Sequence, residues 1–203
     1  MMEIGIYGGT FDPVHIGHAV VGSYVAQFGG VDEVWMLVSP LNPLKDGQRR
    51  LFTDCQRLEM ARLAMAGCPR VRVSGFEMSL PVPSYTYGTL CALRYSYPEH
   101  SFRLVAGADN LRDFRLWRNP GGILREFGLL VYPRPGVVLT PEFISGMEMD
   151  YDAPDSIRYL ADAPTMSVSS TFIREKLSAG TDLRFLIPDA SYAYAKRVLG
   201  FRH

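Results

Sequence analysis

The chain has 203 residues, 47% of them hydrophobic and 21% charged, and its 21 basic residues balance 21 acidic ones. That composition suits one well-buried core, and the charge balance excludes a global field for nucleic acid or an anionic membrane surface, so an anionic ligand must be held by local geometry. Three widely separated cysteines, Cys55, Cys68 and Cys91, argue against a disulfide scaffold. The opening "MMEIGIYGG" shows neither a basic n-region nor a long apolar core, so no export signal is expected, and no uncharged apolar run approaches ~18 residues. The expectation is a cytoplasmic protein that does not span a membrane.

Short aliphatic runs bounded by Gly or Pro predict strands at 3–9, 33–40, 70–77, 101–109 and 127–135. Between them, apolar residues three and four apart predict helices over 14–28, 54–66 and 87–95. Beyond Arg134-Pro135-Gly136, the acidic cluster Glu148, Asp150, Asp152 and Asp155 reads as a solvated loop, and 157–164 as a final strand. "SVSSTFIREKLSAG" predicts a helix with Ser and Thr at its start and Gly180 just past its end, and 189–199 a closing helix. The alternation predicts an α/β fold: a Rossmann-like, doubly wound, mainly parallel sheet with helices on both faces, and ligands beyond the strands' carboxyl ends. Residues 1–203 read as a single domain, with 165–203 as its C-terminal helical extension.

The most informative stretch is "YGGTFDPVHIGH", Tyr7 to His18. Two glycines let the chain approach a bulky ligand, and the following helix offers free N–H groups and a positive dipole end to an anion. His15 and His18 share one side of the first turn, from which two imidazoles can donate to phosphate oxygens and stabilise charge that develops during transfer. The spacing fits neither GxGxxG nor GxxxxGK[ST], and two histidines alone do not make a zinc site, so no metal ligands are assigned.

"GGTFDPVHIGH" resembles the signature of the HxGH-type nucleotidyltransferases, and in this form is most similar to that of the bacterial nicotinate-nucleotide adenylyltransferases. Their second motif, a serine-rich helix start followed by Ile-Arg, is matched by "VSSTFIRE", Val168 to Glu175. "PSYT" from Pro83, "VAGADNLRDFRLWRNP" from Val105 and "VYPRPG" from Val131 are similar to further family segments, so the likeness covers nearly the whole chain. One position departs. The family's usual Pro-Pro-His-Lys reads Asn42-Pro43-Leu44-Lys45 here, with Lys45 kept and Leu44 in place of histidine.

The resemblance implies transfer of AMP from ATP to the phosphate of nicotinate mononucleotide, with Mg²⁺ on the departing phosphates, giving deamido-NAD and pyrophosphate. It implies catalytic roles for His15, His18, Lys45 and Arg174, with His18 nearest the α-phosphate. Gly8, Gly9, Thr10, Phe11, Gly107, Asp109, Ser170, Thr171 and Ile173 would meet the nucleotide; Thr86, Trp117, Arg134 and Tyr85 at the rim would meet the pyridine substrate. Plainer readings stand beside these: Arg174 as a solvated helix residue, Lys45 as a surface lysine, Asp109 as a helix cap and Trp117 as core. Tyr87, Tyr95, Tyr97, Met60 and Met65 read as packing or rim residues. Another phosphate acceptor (nicotinamide mononucleotide, phosphopantetheine or FMN) and a non-catalytic nucleotide sensor are the alternative functions. Acid against amide preference is open, as is the oligomeric state, a homo-oligomer included.

Overall fold

The computed structural model describes residues 1–40 and 50–201. Its strands β1 (Met2–Gly9), β2 (Glu33–Val38), β3 (Val71–Ser74), β4 (His100–Gly107), β5 (Leu129–Tyr132) and β6 (Ile157–Tyr159) form one sheet in the order β3-β2-β1-β4-β5-β6. Every strand pair is parallel, with Ile6 opposite Trp35 on one side and Leu104 on the other.

Side chains alternate across a strand, and both faces of this sheet are buried, so the strands read as nearly unbroken apolar runs. Tyr7, Val34, Met36, Val105 and Leu130 join one core, which is closed by α1 (Ile16–Phe28), α2 (Asp54–Met65), α6 (Ser170–Ser178) and α7 (Asp189–Leu199). Ile4, Ile6, Trp35, Leu37, Leu104 and Val131 join the other, beneath α3 (Thr86–Ser96), α4 (Pro120–Glu126) and α5 (Pro141–Asp150). Met60 and Met65 belong to the first core. Tyr97 packs edge-on against Trp35, Tyr87 ties α3 to α4 by donating to Glu126 at 2.7 Å, and Tyr95 lies on the surface.

Two helices depart from the expected pattern. α5 spans a stretch expected to be loop, and it places Glu148 and Asp150 on regular structure: Glu148 accepts from the Ile157 N–H at 2.9 Å and Asp150 pairs with Arg115. The acidic residues therefore fasten α5 to its neighbours, because a carboxylate one turn from the helix end reaches the start of β6. α4 begins at Asn119, whose side chain accepts from the Gly122 N–H at 3.1 Å. The third strand is shorter than expected, since a 3-10 turn at Phe76–Ser79 follows it.

In this strand order the chain winds away from β1 in both directions. The crevice above the carboxyl ends of β1 and β4 is the switch point where α/β sheets of this kind bind ligands.

Candidate active site

Two adjoining cavities open at that crevice. The larger, about 500 Å³, is lined by residues that include His15, His18, Asp109, Arg134, Thr171 and Arg174. The smaller, about 300 Å³, is lined among others by Glu77, Tyr85, Thr86, Trp117 and Arg118. Gly8, Gly9, Val105, Ala106 and Asn110 line both. A Cβ on Gly8 would meet nothing within 4 Å, so any side chain there would project into the open crevice; one on Gly9 would stand 2.8 Å from the Phe11 ring. Phe11 is held at φ +46 beneath that approach.

α1 starts at the histidine pair. His15 is the N-cap, with its Nδ1 accepting from the Gly17 N–H at 3.1 Å, and His18 Nδ1 accepts from the His15 N–H at 3.2 Å. This reciprocal arrangement is a capping box built from two imidazoles. Each ring uses Nδ1 as acceptor, which assigns the hydrogen to Nε2. The rings stack with centroids 3.8 Å apart, and Phe11 meets His18 edge-on at 4.9 Å. Burial, reinforced by the nearby Arg134 guanidinium, lowers the His15 pKa to about 4. The glycine between the histidines relieves a tight contact: a Cβ on Gly17 would sit 3.0 Å from the folded-back His15 ring, which would have to give by a few tenths of an ångström.

The opposite wall comes from α6, some 160 residues away in sequence. Ser169 caps it by accepting from the Phe172 N–H, Ser170 Oγ donates to the Pro13 carbonyl at 3.0 Å, and Arg174 donates to the Asp12 carbonyl at 2.9 Å and to Thr171 Oγ1 at 3.1 Å. Arg174 thus reaches the cavity over the loop that carries the histidines. Ile173 is placed otherwise than expected: its side chain is fully buried in the core, because it lies on the inward face of α6 with Leu177. Arg134, expected with the pyridine substrate, lines the larger cavity, its Nε 3.3 Å from Asp109 Oδ1. Asp109 lies inside the short 3-10 turn Ala108–Leu111 and makes no side-chain cap there; Gly107 precedes that turn. The Thr10 hydroxyl is buried and has no partner among the described residues. Trp117 is half-buried, packs against Phe114 at 5.4 Å and borders the smaller cavity. Lys45 and Leu44 lie outside the described residues.

Several contributors gave no sequence signal. Arg57, fully buried, donates to the carbonyls of Thr10 and Ser39, the latter at 2.9 Å, and pairs with Asp54 at 2.7 Å. Asp12 accepts from the N–H groups of Leu51 and Phe52 at 3.0 and 3.1 Å, which brings the start of α2 to the motif loop. Glu77 accepts from three hydroxyls beside the smaller cavity. Apart from the Arg57–Asp54 pair within one helical turn, the partners of Arg57 and Glu77 are 7 to 47 positions away, so no local pattern marks them.

A switch-point crevice walled by paired imidazoles at one helix start and an arginine near another defines a nucleotidyltransferase, and the chain belongs to the cytidylyltransferase-like family, whose model matches residues 6–176. The chain is 43% identical to a probable nicotinate-nucleotide adenylyltransferase of Bacteroides fragilis over 97% of this chain and 91% of that one, and 38% identical to one of Flavobacterium johnsoniae over 95% of each. Its fold matches the nicotinic acid mononucleotide adenylyltransferase of Plasmodium falciparum, solved in complex with NaAD, with a TM-score of 0.77 at 17% identity, covering 98% of this chain and 96% of that one. Among the described residues, no helix is long and apolar enough to cross a membrane, and no cluster of three or more His, Cys, Asp or Glu could hold a metal ion.

Proposed function

We propose that the protein transfers AMP from ATP to the phosphate of nicotinate mononucleotide, releasing pyrophosphate and forming deamido-NAD in NAD biosynthesis. One observation carries this reading: two cavities of different character meet over Gly8 and Gly9, so two ligands bound in them would bring their reacting ends together at the shared wall. The larger cavity suits ATP. The smaller, with Trp117 and Thr86 at its side, suits a pyridine ring.

In this scheme an oxygen of the acceptor phosphate attacks the α-phosphorus of ATP, and the bond from that phosphorus to the bridging oxygen of pyrophosphate breaks. The protein supplies position and electrostatics rather than a covalent partner. His15 and His18 donate from Nε2 to phosphate oxygens, His18 nearest the α-phosphate, where charge grows as the transition state forms. Arg174, with Thr171 and the N–H groups at the start of α6, holds the β- and γ-phosphates, and Lys45 adds a point charge. Ser170 acts chiefly by holding α6 to Pro13. Of the two described carboxylates lining the cavity, Asp12 is committed to backbone N–H groups, and Asp109, paired on one side with Arg134, is the one placed to meet a ribose hydroxyl or Mg²⁺ arriving on the triphosphate. Bound there, Mg²⁺ would neutralise charge on the leaving pyrophosphate. The single-domain organisation is supported by α6 bonding to the loop that carries the histidines. Three free cysteines suit a reducing cytoplasm.

Pyrophosphate release measured with ATP and Mg²⁺ tests the reading against nicotinate mononucleotide, nicotinamide mononucleotide, phosphopantetheine and FMN. The expected result is a kcat/KM for the nicotinate form at least about tenfold above every other acceptor, the step that one charged contact provides. Turnover confined to another acceptor, or tight ATP binding without turnover, would overturn it.

A further inference from the structure

The smaller cavity is lined by groups of opposite sign, Glu77 buried at its inner side and Arg118 exposed at its mouth. At one end, buried Glu77 accepts hydrogen bonds from Ser39 at 2.6 Å, Ser84 at 2.7 Å and Thr89 at 3.3 Å. With their protons directed at the carboxylate, these hydroxyls present only lone pairs to a ligand. That end repels an anion. At the other end, the Arg118 guanidinium lies over the Tyr85 ring, 5.0 Å from its centroid, and lines the same cavity beside Trp117. No carboxylate among the described residues pairs with Arg118. Tyr85 is also the N-cap of α3 and makes no side-chain cap there.

We propose that Arg118 is a specificity-determining residue that reads the acid group of the pyridine nucleotide and sets a preference for acid over amide. The inference rests on the adenylyl-transfer reading above. A pyridine ring seated by Trp117 can turn its substituent toward Glu77 or toward Arg118. A carboxylate placed at Glu77 would face a second carboxylate and three hydroxyl lone pairs; at Arg118 it meets a planar fork of donors whose geometry matches its own. The cation–π contact with Tyr85 holds the guanidinium at the cavity. A neutral amide gains no ion pair at Arg118 and is not repelled at Glu77, so the two groups separate acid from amide by attraction at one end and repulsion at the other. Because Arg118 is exposed, water and salt screen the attraction, which bounds its size.

The test compares kcat/KM for nicotinate mononucleotide and nicotinamide mononucleotide in wild type, Arg118→Ala and Arg118→Lys. In Arg118→Ala the acid value should fall about ten- to a hundredfold, mainly through KM, while the amide value changes less than about threefold, as expected for loss of one charge-assisted contact. Arg118→Lys should recover part of the loss, since it keeps the charge without the fork. Equal losses on both substrates, an unchanged ratio, or a wild-type preference for the amide would overturn the assignment of Arg118. A wild-type enzyme that uses neither pyridine nucleotide would instead overturn the adenylyl-transfer reading, and the assignment with it.

Discussion

The two imidazoles at the start of α1 close its cap through Nδ1, and the proposed chemistry uses the opposite nitrogens. Nδ1 of His15 closes the helix cap by accepting from Gly17, and that acceptor exists only while the ring is neutral. With its pKa lowered to about 4, His15 therefore presents a neutral Nε2–H donor at pH 7. The same shift ties stability to pH. Between about pH 6.5 and 4 the unfolded chain protonates this histidine and the folded chain does not, so the contribution is complete above the unfolded pKa and is lost as pH falls through that window, by up to about 3 kcal/mol. Urea unfolding of wild type and His15→Asn at pH 7 and pH 4.5 measures it. The variant should lose clearly less stability between the two, because the carboxylates that titrate in that range are common to both proteins; an equal loss would show that His15 is not held neutral by the fold. The spacing of this pair was legible in the sequence because both histidines act within one helical turn. Ile173 shows the limit: its place beside Arg174 in the motif put it at the nucleotide, whereas the turn of α6 points it into the core.

At the scale of elements, most of the sheet could be read in advance because a strand buried on both faces leaves an apolar run that few other arrangements produce. α4 and α5 could not. Gly121 and Gly122 lower helix propensity in α4, yet a Cβ on Gly122 would press on the Asn119 side chain that caps the helix and come 2.7 Å from the Tyr87 ring, so both would have to shift. α5 contains Gly146 and few inward residues, Met147 being its buried one; the legible mark was Thr140 followed by Pro141, a cap with proline at the first helical position. The joins between elements were hidden altogether, and Arg57 is the clearest case. From α2 it holds the carbonyls that end β1 and β2, and no periodicity encodes that contact. Arg57→Met keeps most of the side-chain volume but takes this donor from two carbonyls, one buried and one part-buried, while Asp54, partly exposed, keeps its ion pair with Arg50. The loss should be about 2–4 kcal/mol, on the scale of unsatisfied buried acceptors. Denaturant midpoints at unchanged m-value measure it, and a shift corresponding to less than about 0.5 kcal/mol, within the range of ordinary surface substitutions, would show that the carbonyls find other partners.

Across the whole molecule, the larger cavity lies between residues from near the two ends of the chain. The loop carrying His15 and His18 forms one wall and α6 the other, and they are joined by the Ser170–Pro13 and Arg174–Asp12 hydrogen bonds. A nucleotide bound between them is lost whenever α6 lifts away, so binding must oppose that opening by the full binding free energy. At a hundred times its Kd, a non-hydrolysable ATP analogue stabilises the closed form by about 2.7 kcal/mol. Amides of α6 that exchange through this local opening should therefore slow about a hundredfold. For a chain of this size the same energy raises Tm by roughly 5–10 °C. α5 packs on the opposite face of the sheet and none of its residues lines either cavity, so amides there that exchange by local fraying should hardly change. Hydrogen exchange with and without the analogue separates the cases: slowing in α6 but not in α5 is the expected pattern. A rise in Tm with α6 exchange unaltered would place the nucleotide away from the wall that α6 provides.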